Sequence, residues 1–249
     1  MRRKLIRTVV VAATLTFVAC AGEESEAVSD TSATSAGLLS GMPRSAVTPM
    51  GNDNLPPTPT QEWDFLALGF NSGSSEAPVR VVELSDFGCG YCRQFHMETF
   101  PTLLTDFIET GKVEWKFLPF VTGMFGNSLT VTEAAECTLA QSPELFGVLS
   151  ERLWADQSDW KRSNEPEVVV RTMAQEAGVD VDEFDVCLAD DRRMERISAA
   201  TAAAGELGVR GTPTFFIIGF PPLQGALPTE AFVEILTAVY TDAVQDSVN

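Results

Sequence analysis

Cys89-Gly90-Tyr91-Cys92 stands between a β-rich run and an apolar run of helical spacing, and this placement constrains the chain more than any other feature. Upstream, Val79-Arg80-Val81-Val82-Glu83-Leu84 reads as a strand, followed by the turn residues Ser85-Asp86-Phe87-Gly88. Downstream, Phe95, Phe100, Leu103, Leu104, Phe107 and Ile108 recur on one helical face. Cys89 is thereby predicted at a helix N-terminus, where free backbone N–H groups and the helix dipole favour a thiolate. Cys92 falls one turn further in, within bonding reach of Cys89 and more shielded. Gly90 is expected to let donors approach the sulfur closely. A thiol-disulfide redox pair fits this arrangement best. A structural disulfide and half of a zinc site are the alternatives, but zinc normally needs four ligands and the chain has one histidine and no second Cys-x-x-Cys.

The rest of the ordered region reads as mixed α/β. Pro101 is expected to kink the helix after the cysteines, and Gly111 to end it. Val113 to Leu118 alternates as a second strand. From about Gly126 to Gly208 the chain is mostly helical, with Leu139, Leu145, Phe146, Leu149, Leu153 and Trp154 as core positions. Thr214 to Ile218 is a third strand, and a turn at Gly219 to Pro222 leads to a short strand near Leu223 to Gly225. Thr229 is expected to cap a last helix. No internal repeat is visible. This order implies an α/β fold with helices inserted in its middle.

The N-terminus reads as an export signal over residues 1–19: Arg2, Arg3, Lys4 and Arg7 precede or break an apolar core that ends in Thr16-Phe17-Val18-Ala19-Cys20. That ending resembles a bacterial lipobox, in which the cysteine is lipidated, so Cys20 is the expected lipidation site. Residues 20–60 are rich in Ser, Thr, Gly, Pro, Asn and acids and read as a disordered tether. About forty flexible residues span on the order of 35 Å. The domain then covers 61–249 and is expected outside the cytoplasm, periplasmic or extracytoplasmic. Without the four leading basic residues the chain keeps 13 basic against 35 acidic side chains. Such a charge repels nucleic acid and anionic lipid surfaces.

Other residues complete the candidate set. Gly211-Thr212-Pro213-Thr214 precedes an apolar strand. A cis Pro213 would expose the Thr212 backbone beside the sulfurs, where an extended substrate can pair with it. With Cys20 assigned to lipid and Cys89 and Cys92 to redox chemistry, Cys137 and Cys187 form an even remainder in an exported chain. A structural disulfide between them is expected, with two unrelated buried thiols as the alternative. His96 lies on the same helix as the cysteines. A Cys/His hydrolase would draw its histidine from a distant segment, so His96 is read as a surface or partly buried side chain.

From about Trp63 to Val244 the sequence resembles the DsbA family of thioredoxin-fold proteins. Ala77-Pro78-Val79, Glu83 through Arg93 and Gly208 through Phe215 carry the resemblance. It implies a thioredoxin-like fold with a helical domain inserted over about 126–208. It implies that Cys89 is the attacking and leaving sulfur, that Cys92 resolves the mixed disulfide, and that a cis Pro213 faces the pair. Thr212, Pro213, Gly90 and Tyr91 would meet substrate. Glu83 would be the family's buried carboxylate near the resolving cysteine, relaying its proton. The implied activity introduces disulfides into reduced exported polypeptides, with a quinone-linked membrane partner for reoxidation and no cofactor or metal. The alternatives are a disulfide reductase or isomerase, and a non-catalytic peptide-binding lipoprotein.

Overall fold

The computed structural model describes residues 67–190 and 192–246. The export signal over 1–19, Cys20, the tether over 20–60 and Trp63 lie outside the described residues.

β2 (Val79–Ser85) is the central strand, and its sequence explains why. Six of its seven residues are buried, the composition expected of a strand covered on both faces. It pairs in parallel with β3 (Val113–Pro119) and antiparallel with β4 (Thr214–Ile217). The edges are β1 (Phe70–Ser72), antiparallel to β3, and β5 (Leu223–Gln224), antiparallel to β4, giving the order β1-β3-β2-β4-β5. The sequence pattern did not reveal β1: three residues are too few for alternation to show.

The period of two along β2 assigns its faces. Val79 and Val81 pack with Trp115, Phe215 and Ile217 against α1 (Gly90–Glu98) and the last helix. Val82 and Leu84 pack with Leu118 against the alanines of the last insertion helix. Glu83 shares the face of Val79 and Val81 and so points toward α1.

Pro101 does not kink a continuous helix. α1 ends before Thr99, whose N–H still bonds the Phe95 carbonyl at 2.9 Å, and α2 (Phe100–Leu103) restarts with Pro101 in its first turn, where a missing N–H costs nothing. A π-helical turn over Leu104–Ile108 follows, and Gly111, at φ +73°, leads into β3.

The insertion comprises α3 (Ser128–Gln141), α4 (Pro143–Ala155), α5 (Gln157–Lys161), α6 (Pro166–Glu176), α7 (Val181–Leu188) and α8 (Arg192–Glu206). Phe146, Leu149, Leu153 and Trp154 are buried in its core, whereas Leu139 and Leu145 are only partly buried. Cys137 on α3 and Cys187 on α7 are joined by a disulfide, S–S 2.05 Å. α9 (Thr229–Asp246) closes the fold. Thr229 is its first residue, not its cap: its hydroxyl donates to the Glu98 carbonyl at 3.2 Å and lies 3.1 Å from the Thr99 hydroxyl, locking α9 to the end of α1.

The insertion grips the turn before α1. Gln157 Nε2 donates to the carbonyls of Phe87 (2.6 Å) and Cys89 (3.0 Å), and Lys161 Nζ to that of Gly88. Arg93 reciprocates from α1, donating to the Trp154 carbonyl at 2.9 Å and so capping α4.

A candidate dithiol site at the start of a helix

Cys89 is the N-cap of α1, with extended backbone (φ −77°, ψ 126°). The sulfur therefore hangs over the first turn, whose amides have no helical acceptor. Both cysteines are free thiols in this structure. The Cys89 pKa is lowered from 9.0 to about 5, first by a hydrogen bond from Cys92, then against the cost of burial by Thr212 and by the N–H groups of Cys92 and Tyr91. The Cys92 thiol moves the other way. Fully buried, it is pushed well above 9.0 by burial and by the neighbouring Cys89 sulfur. The pair thus divides the labour: one sulfur is an anion near neutrality and the other holds its proton.

Two of the predicted segments meet here, the Cys89–Cys92 turn and Thr212–Pro213. Thr212–Pro213 is a cis peptide, and the Cys89 thiol donates to the Thr212 carbonyl across 3.4 Å. Cys89, Gly90 and Tyr91 line a cleft of about 550 Å3 together with Thr212, Met124 and Phe125. Tyr91 and Met124 are exposed large apolar side chains at its mouth. Gly90 is not sterically required: a Cβ there would meet nothing within 4 Å. The tight glycine is Gly88, where a Cβ would lie 2.4 Å from the Phe125 Cβ.

Glu83 is fully buried beneath α1, and its oxygens are taken up by His96 and Trp115. His96 Nε2 lies 2.7 Å from Oε1, and Trp115 Nε1 donates to Oε2 at 3.0 Å. The imidazole also stacks on Trp154, with centroids 4.5 Å apart and planes 9° from parallel. His96 is thus nearly buried and serves Glu83, a role its position four residues after Cys92 did not disclose. Sequence reasoning also passed over Asp86. Its carboxylate accepts from the Gly88 N–H at 2.8 Å, from the Thr122 N–H at 3.4 Å and from the Ser128 hydroxyl. The available signal was Asp-x-Gly ahead of a helix start, the pattern of an Asx turn. Among the described residues no group of three or more His, Cys, Asp or Glu side chains is placed to hold a metal ion, and no helix is long and apolar enough to cross a membrane.

A five-stranded sheet bearing a dithiol at the start of its first helix, opposite a cis proline, defines a thioredoxin-fold protein with a redox-type Cys-x-x-Cys centre. The family model described as Thioredoxin matches residues 69–236. The chain belongs to this family, and within it to the DsbA-like group. A probable disulfide bond formation protein D of Bacillus cereus is 28% identical over 150 residues, 59% of this chain and 68% of that protein. The crystal structure of Wolbachia pipientis α-DsbA1 superposes with a TM-score of 0.65 at 21% identity, over 73% of this chain and 97% of that one. A Salinispora tropica protein named Na(+)/H(+) antiporter NhaA 3 is 36% identical over 147 residues, 59% of this chain, and this chain spans only 21% of its length.

Proposed function

We propose that the chain is an exported thiol-disulfide oxidoreductase that introduces disulfides into reduced polypeptides through Cys89 and Cys92. In the oxidised form a substrate thiolate attacks the Cys89 sulfur. The Cys89–Cys92 bond breaks, and Cys92 leaves and takes a proton, as its high pKa favours. A second substrate thiolate then attacks the substrate sulfur of the mixed disulfide, and Cys89 departs as a thiolate. Two electrons pass to the cysteine pair. One proton rests on Cys92, and the other is released above the Cys89 pKa of about 5.

The depressed Cys89 pKa is the observation that carries this direction. A stabilised thiolate is a good leaving group and makes the disulfide an oxidant, a general pattern for which DsbA itself is the standard example. Thr212, Pro213, Gly90 and Tyr91 would seat the substrate as an extended strand in the cleft. Glu83 would exchange a proton with Cys92. The Cys137–Cys187 disulfide would be structural. Reoxidation would come from a quinone-linked membrane partner, and lipid on Cys20 would hold the domain at a membrane outside the cytoplasm.

Oxidative refolding of a reduced, scrambled test protein tests the reading. The wild type accelerates recovery of activity, and Cys89→Ser lowers that rate by at least about a hundredfold. Equal rates would remove the catalytic reading. A potential at or below about −270 mV, the thioredoxin value, would turn it to disulfide reduction.

A further inference from the structure

Asp86 is buried three residues before Cys89 and takes no part in the exchange steps above. Its donors come from three segments: Gly88 in the sulfur turn, Thr122 in the loop after β3, and Ser128 at the start of α3. The loop after β3 supplies Thr122, Met124 and Phe125 to the Cys89 cleft, and Phe125 packs directly on Gly88. No residue from Phe120 to Asn127 is charged. The bond from the Thr122 N–H to Asp86 therefore ties the middle of this wall to the turn that carries the nucleophile.

The two carboxylate oxygens are not equivalent. Oδ1 holds two donors, Gly88 N–H and the Ser128 hydroxyl, while Oδ2 holds one long bond from Thr122. A neutral carboxyl keeps one full acceptor oxygen, and the other becomes an O–H donor and a poorer acceptor. Oδ2, with one donor to Oδ1's two, gives up least on taking the proton, and a proton there weakens the Thr122 N–H bond, already long at 3.4 Å. Burial raises the Asp86 pKa from 3.8 to about 6, opposed by the Ser128, Gly88 and Thr122 hydrogen bonds. Two titratable groups adjoin it from α1 and its cap: Cys89, whose negative charge raises it further, and Cys92, whose sulfur meets the Asp86 backbone; from α5, Lys161 reaches only the Gly88 carbonyl.

We propose that Asp86 is a pH-responsive positioning residue for substrate recognition. Ionised, it holds Thr122, Met124 and Phe125 against the sulfur turn; protonated on Oδ2, it weakens its hold on Thr122 and loosens the grip on an extended polypeptide with an apolar residue beside its cysteine. The apolar preference follows from Tyr91, Met124 and Phe125 around the sulfur. This inference rests on the exchange function proposed for the same cleft.

The test uses the oxidised full chain, in which neither Cys89 nor Cys92 titrates. The probe is an end-capped apolar peptide with serine in place of cysteine and no ionisable side chain. Its Kd is read by fluorescence from pH 8 to pH 5. For the wild type, Kd rises several-fold with a midpoint at or just below 6, since the oxidised site lacks the Cys89 anion. Asp86→Asn places an N–H donor where Oδ2 stood; it binds as weakly at pH 8 as the wild type does at pH 5, and its Kd is flat between. Ser128→Ala removes a bond that favours the carboxylate; it binds normally at pH 8, and its midpoint moves upward. That variant decides the matter alone if Asp86→Asn does not fold. A wild-type Kd independent of pH, a midpoint unmoved in Ser128→Ala, an Asp86→Asn variant that titrates like the wild type, or no peptide binding at any pH overturns the proposal. Wild-type exchange with a small thiol is run in parallel. Its loss would overturn the exchange reading itself, whereas its persistence beside any of those outcomes confines the failure to Asp86.

Discussion

Cys89 and Cys92 lie three residues apart at the opening of a helix, with one sulfur bordering a cleft. Cys137 and Cys187 lie fifty apart and join two helices of the insertion, Cys137 fully buried and Cys187 partly buried. The element is the same and the surroundings differ. Around Cys89 the hydrogen bond from Cys92 comes first, and Thr212 and the N–H groups of Cys92 and Tyr91 add to it, so that the sulfur is held as an anion. Cys137 sits mid-helix, where the backbone N–H groups bond within the helix and none is left to stabilise a thiolate. The dithiol turn spends structure on making a bond easy to open. The insertion uses its bond to close a loop.

The sharpest way to break this comparison is by pH. At pH 7 a thiol with a pKa near 5 is about 99% ionised, against about 1% for one near 9, a difference of roughly a hundredfold in thiolate. Brief alkylation of the reduced protein at pH 7 should therefore label Cys89 at least about tenfold faster than Cys92, allowing for the lower nucleophilicity of a weaker base. The rate, and thiolate absorbance in the far ultraviolet, should fall with a midpoint of about 5. The linkage has a definite sign. A depressed thiol pKa stabilises the reduced folded form at high pH, fully above the ordinary thiol value of about 9, and that contribution is lost as pH falls through about 5. A reduced protein whose Cys89 titrates near 9 would erase the difference between the two pairs.

The second disulfide should break the comparison from the other side. Closing a loop with a sequence separation of 50 stabilises by up to about 4 kcal/mol in the chain-entropy model. The double variant Cys137→Ser/Cys187→Ser should lose on that order of stability in urea unfolding. Its Cys89 titration midpoint should not move, and at a temperature where it stays folded it should catalyse oxidative refolding of the test protein within about twofold of the wild type, as expected for distant, independent sites. A shift of the Cys89 midpoint in this variant would mean that the insertion disulfide tunes the dithiol and is not only a brace.

How much of this was legible in the sequence depends on how local the cause is. The strand, turn and helix that frame Cys89-Gly90-Tyr91-Cys92 follow from local patterns, and so do β3, β4 and the helical block. The placement of Thr212-Pro213 against Cys89 came from reading a Thr-Pro before a strand together with the Cys-x-x-Cys, and from resemblance, since nothing local joins segments 123 residues apart. The Glu83–His96 pair depends on the rotation of α1 over the sheet. Asp86 depends on a loop 36 residues downstream folding back to it. Each of these is fixed by packing between elements, which no window along the chain contains.

Glycine marks the same boundary, and the two glycines flanking Cys89 give the finest test. The sequence singled out Gly90, between the cysteines, yet its missing Cβ faces open space. Gly90→Ala also gains helix propensity at the first helical position, so its stability should stay within about 0.5 kcal/mol of the wild type and Cys89 should titrate unchanged. Gly88 has the opposite surroundings, with Phe125 and Ser128 pressed against the place a Cβ would occupy. Gly88→Ala must push the Phe125 loop outward or distort the Asx turn, at a cost of about 1–3 kcal/mol. Urea unfolding of the two variants decides it. Equal costs would mean that the loop after β3 yields freely, and the contrast between a tightly built sulfur turn and an open cleft beside it would have to be given up.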